Sequence, residues 1–178
     1  MELPLTYYGN PILRKKCARV TEITDEIRQL VDDMIETMRA TNGIGIAAPQ
    51  VNKSLAIFVT EVPERVEGEP EEKWLPGKVR VYINPKLTNP SDEMWIRGEG
   101  CLSIPHIYGP VVRPVTVTVT AMDLDGKEFQ EELSWLDARA VMHENDHING
   151  ILFIDRIHGK ERKALDPLLN GVKKKYRK

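Results

Sequence analysis

The stretch Met142–Gly150 reads Met-His-Glu-Asn-Asp-His-Ile-Asn-Gly. On a helix, His143 and His147 leave the same face, at a spacing that lets both imidazoles clamp one metal ion. Glu144 lies one residue round from His143, near enough to reach a metal-bound water without being a ligand, which is the place of a general base. The chemistry this implies is metal-assisted hydrolysis. Two histidines are only two ligands, so the third decides the class of hydrolase. A histidine ten residues after His143, one known arrangement in zinc peptidases, would fall on Phe153. A glutamate on a following helix, another such arrangement, has only Glu161 to offer, in a charged stretch. His158 lies past Gly150 and an apolar segment, with nothing to fix it. The competing reading is a polar helix face with two surface histidines. Ala138, Val141, Ile148 and Ile151 make the segment apolar enough to bury, and buried imidazoles need partners that a metal can supply.

Cys101 fills the gap better. It stands in Arg-Gly-Glu-Gly-Cys-Leu-Ser-Ile-Pro, where Gly98 and Gly100 permit close backbone approach and Pro105 stiffens the exit. A thiolate with two imidazoles leaves the fourth position open to water, as catalysis requires. A lone cysteine is more often a small buried hydrophobe, and Cys17, which has no such setting, keeps that reading. Gly43–Ala48, Gly-Ile-Gly-Ile-Ala-Ala, formally matches a dinucleotide-binding pattern, but that pattern needs a strand before it and a helix after it. Here an amphipathic helix precedes and Pro49 ends any helix almost at once, so no nucleotide cofactor is expected. The remaining readings are a glycine-rich turn that sets backbone amides and the Gln50 amide against a ligand, or an ordinary connection.

These residues need a scaffold. Asp25–Arg39 predicts a helix, with Ile27, Leu30, Val31, Met34, Ile35 and Met38 on one face and Thr24 as its cap. Ser54–Val62 and Val79–Pro85 read as strands. Pro63–Lys78, with Pro, Gly and many glutamates, reads as a solvated loop. Val115, Val117 and Val119 alternate with Thr116, Thr118 and Thr120 in the clearest strand, and Asp125-Gly126 turns it into a hairpin with Lys127–Leu133. Ser134-x-x-Asp137 resembles a capping box opening the histidine-bearing helix from about Trp135 to Asn149, and Gly150 suits its left-handed terminus. A last helix is expected from Lys160, with a basic end that frays. The strands cluster between helices. The expected fold is therefore α+β: antiparallel β-sheets packed around a central helix carrying the His-Glu-x-x-His motif, with an N-terminal helix and a C-terminal one.

The 178 residues are expected to form one domain spanning 1–178. A net charge of -2 gives no overall basic footprint for nucleic acid. No apolar run approaches the ~18 residues of a membrane span, and the opening residues have neither a secretory nor a transit character. With only Cys17 and Cys101, a disulfide scaffold is excluded and a reduced, cytoplasmic setting is expected.

Three stretches together resemble one family, peptide deformylase: Gly43–Gln50 (Gly-Ile-Gly-Ile-Ala-Ala-Pro-Gln), Glu99–Ser103 (Glu-Gly-Cys-Leu-Ser) and His143–His147 (His-Glu-Asn-Asp-His). They occur in the family's order, and the resemblance covers nearly the whole chain apart from Pro63–Lys78. It implies a bacterial-type or organellar enzyme that removes formyl from the N-terminal methionine of new chains. The metal ligands would be Cys101, His143 and His147, with Fe(II) as physiological metal and zinc, nickel or cobalt able to take its place. Glu144 would be the general base, Gln50 and the Leu102 N–H the oxyanion hole, Gly45 a partner for the substrate backbone, and Ile44 part of the methionine pocket. Asp146 is expected in a buried salt bridge, with Arg113 as one candidate. Met142 stands where the family commonly has Gln, Ile46 and Ile148 where Leu is usual, and Tyr108 where Arg is frequent. The partners implied are N-formyl-Met nascent peptides, with ribosome contact open to the basic C-terminal tail. The alternatives are a zinc peptidase or amidase on the same helix, disfavoured by Phe153 and Cys101, and a non-enzymatic ribosome-binding protein.

Overall fold

The computed structural model describes residues 1–66 and 73–177. Helix α1 (Asp25–Ala40) follows from its periodicity: Leu30, Val31, Met34 and Met38 are buried on one face, and the Thr24 hydroxyl caps the helix by accepting from Ile27 N–H. A five-stranded antiparallel sheet carries β1 (Gly45–Ala47), β2 (Ile57–Glu61), β5 (Val79–Thr88), β8 (Thr116–Met122) and β9 (Glu128–Ser134), in the order β1-β2-β5-β8-β9. β5 runs past the expected stop at Pro85. A register shift between Ile83 and Lys86 absorbs the proline, and Asn84, at φ 51°, turns its side chain onto the Val20 backbone as both donor and acceptor at 2.8 Å.

Two short antiparallel pieces complete the strands. The expected loop at Pro63–Lys78 has a paired stem: β3 (Glu64–Arg65) pairs β4 (Trp74–Leu75), while residues 67–72 of that expectation lie outside the described residues. A long hairpin of β6 (Met94–Cys101) and β7 (Ile104–Pro114) was not expected as strand. Its glycines and prolines mask the strand signal.

Helix α2 (Trp135–Ile148) is the centre of the molecule, and α3 (Gly159–Lys175) closes it. The sheet packs Phe58, Tyr82, Val117 and Val119 against Ala138, Val141 and Met142 of α2. Met142 thus serves an apolar core. On the sheet's other side, Met34 and Met38 of α1 meet Ile46, Ile57 and Ile83. Ile104, Ile107 and Val111 of the hairpin pack on Phe153, Leu165 and Leu169.

The start of α2 corrects one expectation. Ser134 is the N-cap by position, but its hydroxyl makes no capping bond, and Asp137 accepts from Arg80 at 3.0 Å instead. Trp135, at φ 52°, turns the chain so sharply into the helix that a local side-chain cap does not form. The far end is as expected, with Gly150 at φ 73°. A Cβ there would come within 2.6 Å of the Arg14 carbonyl oxygen, a second reason for glycine. The C-terminal end does not fray as expected: Val172 is buried, and Tyr176 stacks on Tyr7 with ring centroids 3.7 Å apart. That contact joins the two ends of the chain, which no local pattern announces.

Candidate metal centre and active site

Helix α2 and the β6–β7 hairpin bring three donor atoms together. Cys101 Sγ, at the end of β6, and one ring nitrogen each from His143 and His147 lie within 4.8 Å of one another. Sγ is 3.2 Å from His147 Nε2. Neither other candidate ligand joins them: His158 and Glu161 are exposed at the start of α3. Phe153, where a third histidine would stand in one peptidase arrangement, is buried with its ring stacked 6.1 Å from that of His143. Cys17 is buried in the core.

The donor set fits a borderline-soft divalent ion: one sulfur, two imidazole nitrogens and an open side towards a cavity. Burial and the neighbouring His143 hold the His147 imidazole well below its ordinary range, leaving it neutral as a ligand must be. Burial alone would lower His143 too, but hydrogen bonds to Cys101 and Glu99 outweigh it and draw a proton there. A bound cation would supply that positive charge instead.

Glu99 is the residue that sequence reasoning passed over. It lies two positions before Cys101 on β6, across a shift in the hairpin's register that no local pattern announces. Its Oε1 is 2.8 Å from His143 Nδ1, which turns the other ring nitrogen towards the donors. It also accepts two bonds from Arg113 and one from Arg139, and all three side chains are buried. Burial alone would raise the Glu99 carboxyl, but bonds from Arg113 and His143 hold it well below the usual carboxylate range. The expected Arg113–Asp146 bridge is present at 3.0 Å, and Arg156 adds two further bonds to Asp146. Glu99→Gln should therefore weaken metal binding on the order of 10–100-fold, by freeing His143. It should also destabilise the fold by about 3–5 kcal/mol, by leaving buried arginines without their charge partner. Metal titration and thermal unfolding check the two effects separately.

Glu144 is buried on the cavity side of α2, and its Oε2 has no hydrogen-bond partner. Burial pushes its carboxyl up to about 7. Gly45 makes room for it: a Cβ on Gly45 would lie 2.7 Å from Glu144 Oε1 and 3.0 Å from its Cγ. Gly45→Ala should displace this carboxylate while keeping the core, and cost on the order of 10²-fold in turnover, read as a fall in kcat at unchanged metal content. Gln50 is fixed in orientation. Its Oε1 accepts from Ala47 N–H at 2.9 Å, so its Nε2 faces the centre, 3.5 Å from Cys101 Sγ and 3.2 Å from Ser103 Oγ. Leu102 follows Cys101 in the hairpin turn, and Ile44 stands exposed beside Gly45. Ile44, Gly45, Gln50, Cys101, Leu102, His143 and Glu144 border one cavity of about 1020 Å³.

Comparison with known proteins gives the same family by sequence and by fold. The family profile described as "Polypeptide deformylase" matches residues 2–163. A peptide deformylase of Synechocystis sp. is 40% identical over 157 residues, covering 87% of this chain and 79% of the relative. The crystal structure of a plant peptide deformylase superposes with a TM-score of 0.87 at 40% identity, covering 98% of this chain and 90% of that one. The peptide deformylase of Ehrlichia chaffeensis in complex with actinonin gives a TM-score of 0.87 at 36% identity, with 99% of both chains covered.

Proposed function

The chain belongs to the polypeptide deformylase family, a metal-dependent hydrolase that removes formyl from the N-terminal methionine of new polypeptides and releases formate, and we propose that Cys101, His143 and His147 hold its metal and Glu144 is its general base. The observation that carries the assignment is the convergence of those three donors beside a buried carboxylate with a free oxygen.

A divalent cation held there supplies Lewis acidity, which lowers the pKa of a water towards neutrality from ~15.7 in bulk. Glu144 Oε2 takes the water's proton and later returns it to the departing amine. The Gln50 Nε2–H and the Leu102 backbone N–H donate to the oxygen that gains charge as the formyl carbon becomes tetrahedral. Strand β1 is an edge of its sheet, so the side of Gly45 away from β2 is open to an extended peptide. Ile44, exposed at the cavity, offers apolar surface to the first side chain.

Fe(II) is our choice of physiological metal, as the family resemblance implies, with zinc, nickel and cobalt as ions the same donors accept. Anaerobic loading with each ion tests this: formate release per bound metal should be highest with Fe(II), and an equal rate with zinc would contradict the choice. Residues 1–178 act as one catalytic domain in this reading, supported by Leu5 and Tyr176, which line the same cavity from opposite ends of the chain. No helix among the described residues is long and apolar enough to cross a membrane. The cytoplasm is the setting we propose, and ribosomal RNA is a candidate partner for the last turn of α3, where Lys173, Lys174 and Lys175 follow one another.

A further inference from the structure

The cavity is not uniformly apolar. One wall is a stripe of α2 in which Leu136, Ala140 and His143 succeed one another at four and three residues, on a single face over about 10 Å of helix. The facing wall is β6, from Cys101 back through Gly98 to Arg97. The metal donors mark one end of this groove, and Leu136 and Arg97 the other. A peptide whose backbone lies along Gly45, with its formyl group at the donors, has this groove for its first side chain. The wall is open at Gly98, where a Cβ would meet nothing within 4 Å.

Two guanidinium groups lie over the Trp95 ring. Arg139 Cζ is 4.9 Å from the ring centroid and Arg97 Cζ is 5.2 Å from it. Arg139 is committed, donating to Glu99, to the Val111 carbonyl and to the Trp95 carbonyl. Arg97 is exposed at the cavity, and among the described residues no carboxylate pairs with it. Its N–H groups are left for a ligand, and the aromatic ring beneath supports the cation.

We propose that Arg97 determines specificity by accepting a first side chain that ends in a hydrogen-bond acceptor, so that chains beginning with formylated methionine sulfoxide are substrates alongside those beginning with formyl-methionine. The inference rests on the deformylase reading above. Oxidation turns the methionine thioether into a polar sulfoxide. In an all-hydrocarbon pocket that oxygen would lose its bonds to water with nothing in return. A guanidinium N–H replaces them, whereas the thioether sulfur, a weak acceptor, gains little from it. The sulfoxide passes through unchanged, and the bond hydrolysed is the same formyl C–N bond.

The test compares kcat/KM for a formyl-methionine tripeptide and its sulfoxide in the metal-loaded wild type, Arg97→Leu and Arg97→Lys. The wild-type ratio should lie within about tenfold of unity. Arg97→Leu should lower the sulfoxide-to-methionine ratio on the order of 10–100-fold, the worth of a hydrogen bond to a charged donor, and Arg97→Lys should restore part of it. Taking the ratio within each variant cancels any difference in folding or metal content. An unchanged ratio in Arg97→Leu, or a wild type that ignores the sulfoxide while processing formyl-methionine, overturns the inference alone. Absence of formate from both peptides overturns the deformylase reading and this inference with it.

Discussion

Glu144→Ala should keep its metal and lose turnover by on the order of 10²–10⁴-fold, the usual contribution of a positioned general base. Glu144 is not one of the three converging donors, so its removal leaves the ligand set whole. Its carboxylate instead faces Gly45, with one oxygen unpartnered. A buried carboxylate without a full set of bonds is costly for the fold, and a site that keeps one has it for chemistry. Glu144→Gln holds the shape and removes only the basicity. It should be as inactive as the alanine variant, with the same metal content by elemental analysis. Turnover retained in both variants would remove Glu144 from the mechanism.

Cys101→Ala should empty the site. Sγ, 3.2 Å from His147 Nε2, is the donor that turns a pair of imidazoles into a three-point grip. Two imidazoles alone hold a divalent ion several orders of magnitude more weakly, and activity falls with occupancy. The fold should survive, because Cys101 is half-buried at the edge of the hairpin's core and the main clusters do not depend on it. Near-native thermal unfolding of the metal-free protein together with lost metal is the expected pair of results. Unchanged metal content would return Cys101 to a packing role.

Much of this site was legible in the chain itself. The spacing of His143, Glu144 and His147 set two candidate ligands and a candidate base on one helix, and the glycines around Cys101 pointed to the third donor atom that the fold brings beside them. Helix α1 could be read almost to its ends, because a single apolar stripe and a threonine cap settle it locally. The β6–β7 hairpin could not be read. Gly98, Gly100, Pro110 and Pro114 weaken every local strand signal, and the segment is held by pairing across the hairpin and by the Glu99–Arg113 ion pair. Glu99 stayed hidden for the same reason. Its partners stand 14, 40 and 44 residues away, so its work as an orienting acceptor exists only in the fold. The Ser134 cap failed because tertiary contacts to Arg80 and the turn at Trp135 override a local motif. The two tyrosines at the chain ends meet through the packing of α3.

The most direct test of the central claim is formate release from a formyl-methionine peptide, measured beside the same peptide without its formyl group, with enzyme loaded anaerobically with Fe(II). One formate and one new terminal amine are expected per formylated peptide, with every internal peptide bond intact in both. No formate, together with cleavage of the unformylated peptide, would contradict that claim and mark the chain as a peptidase.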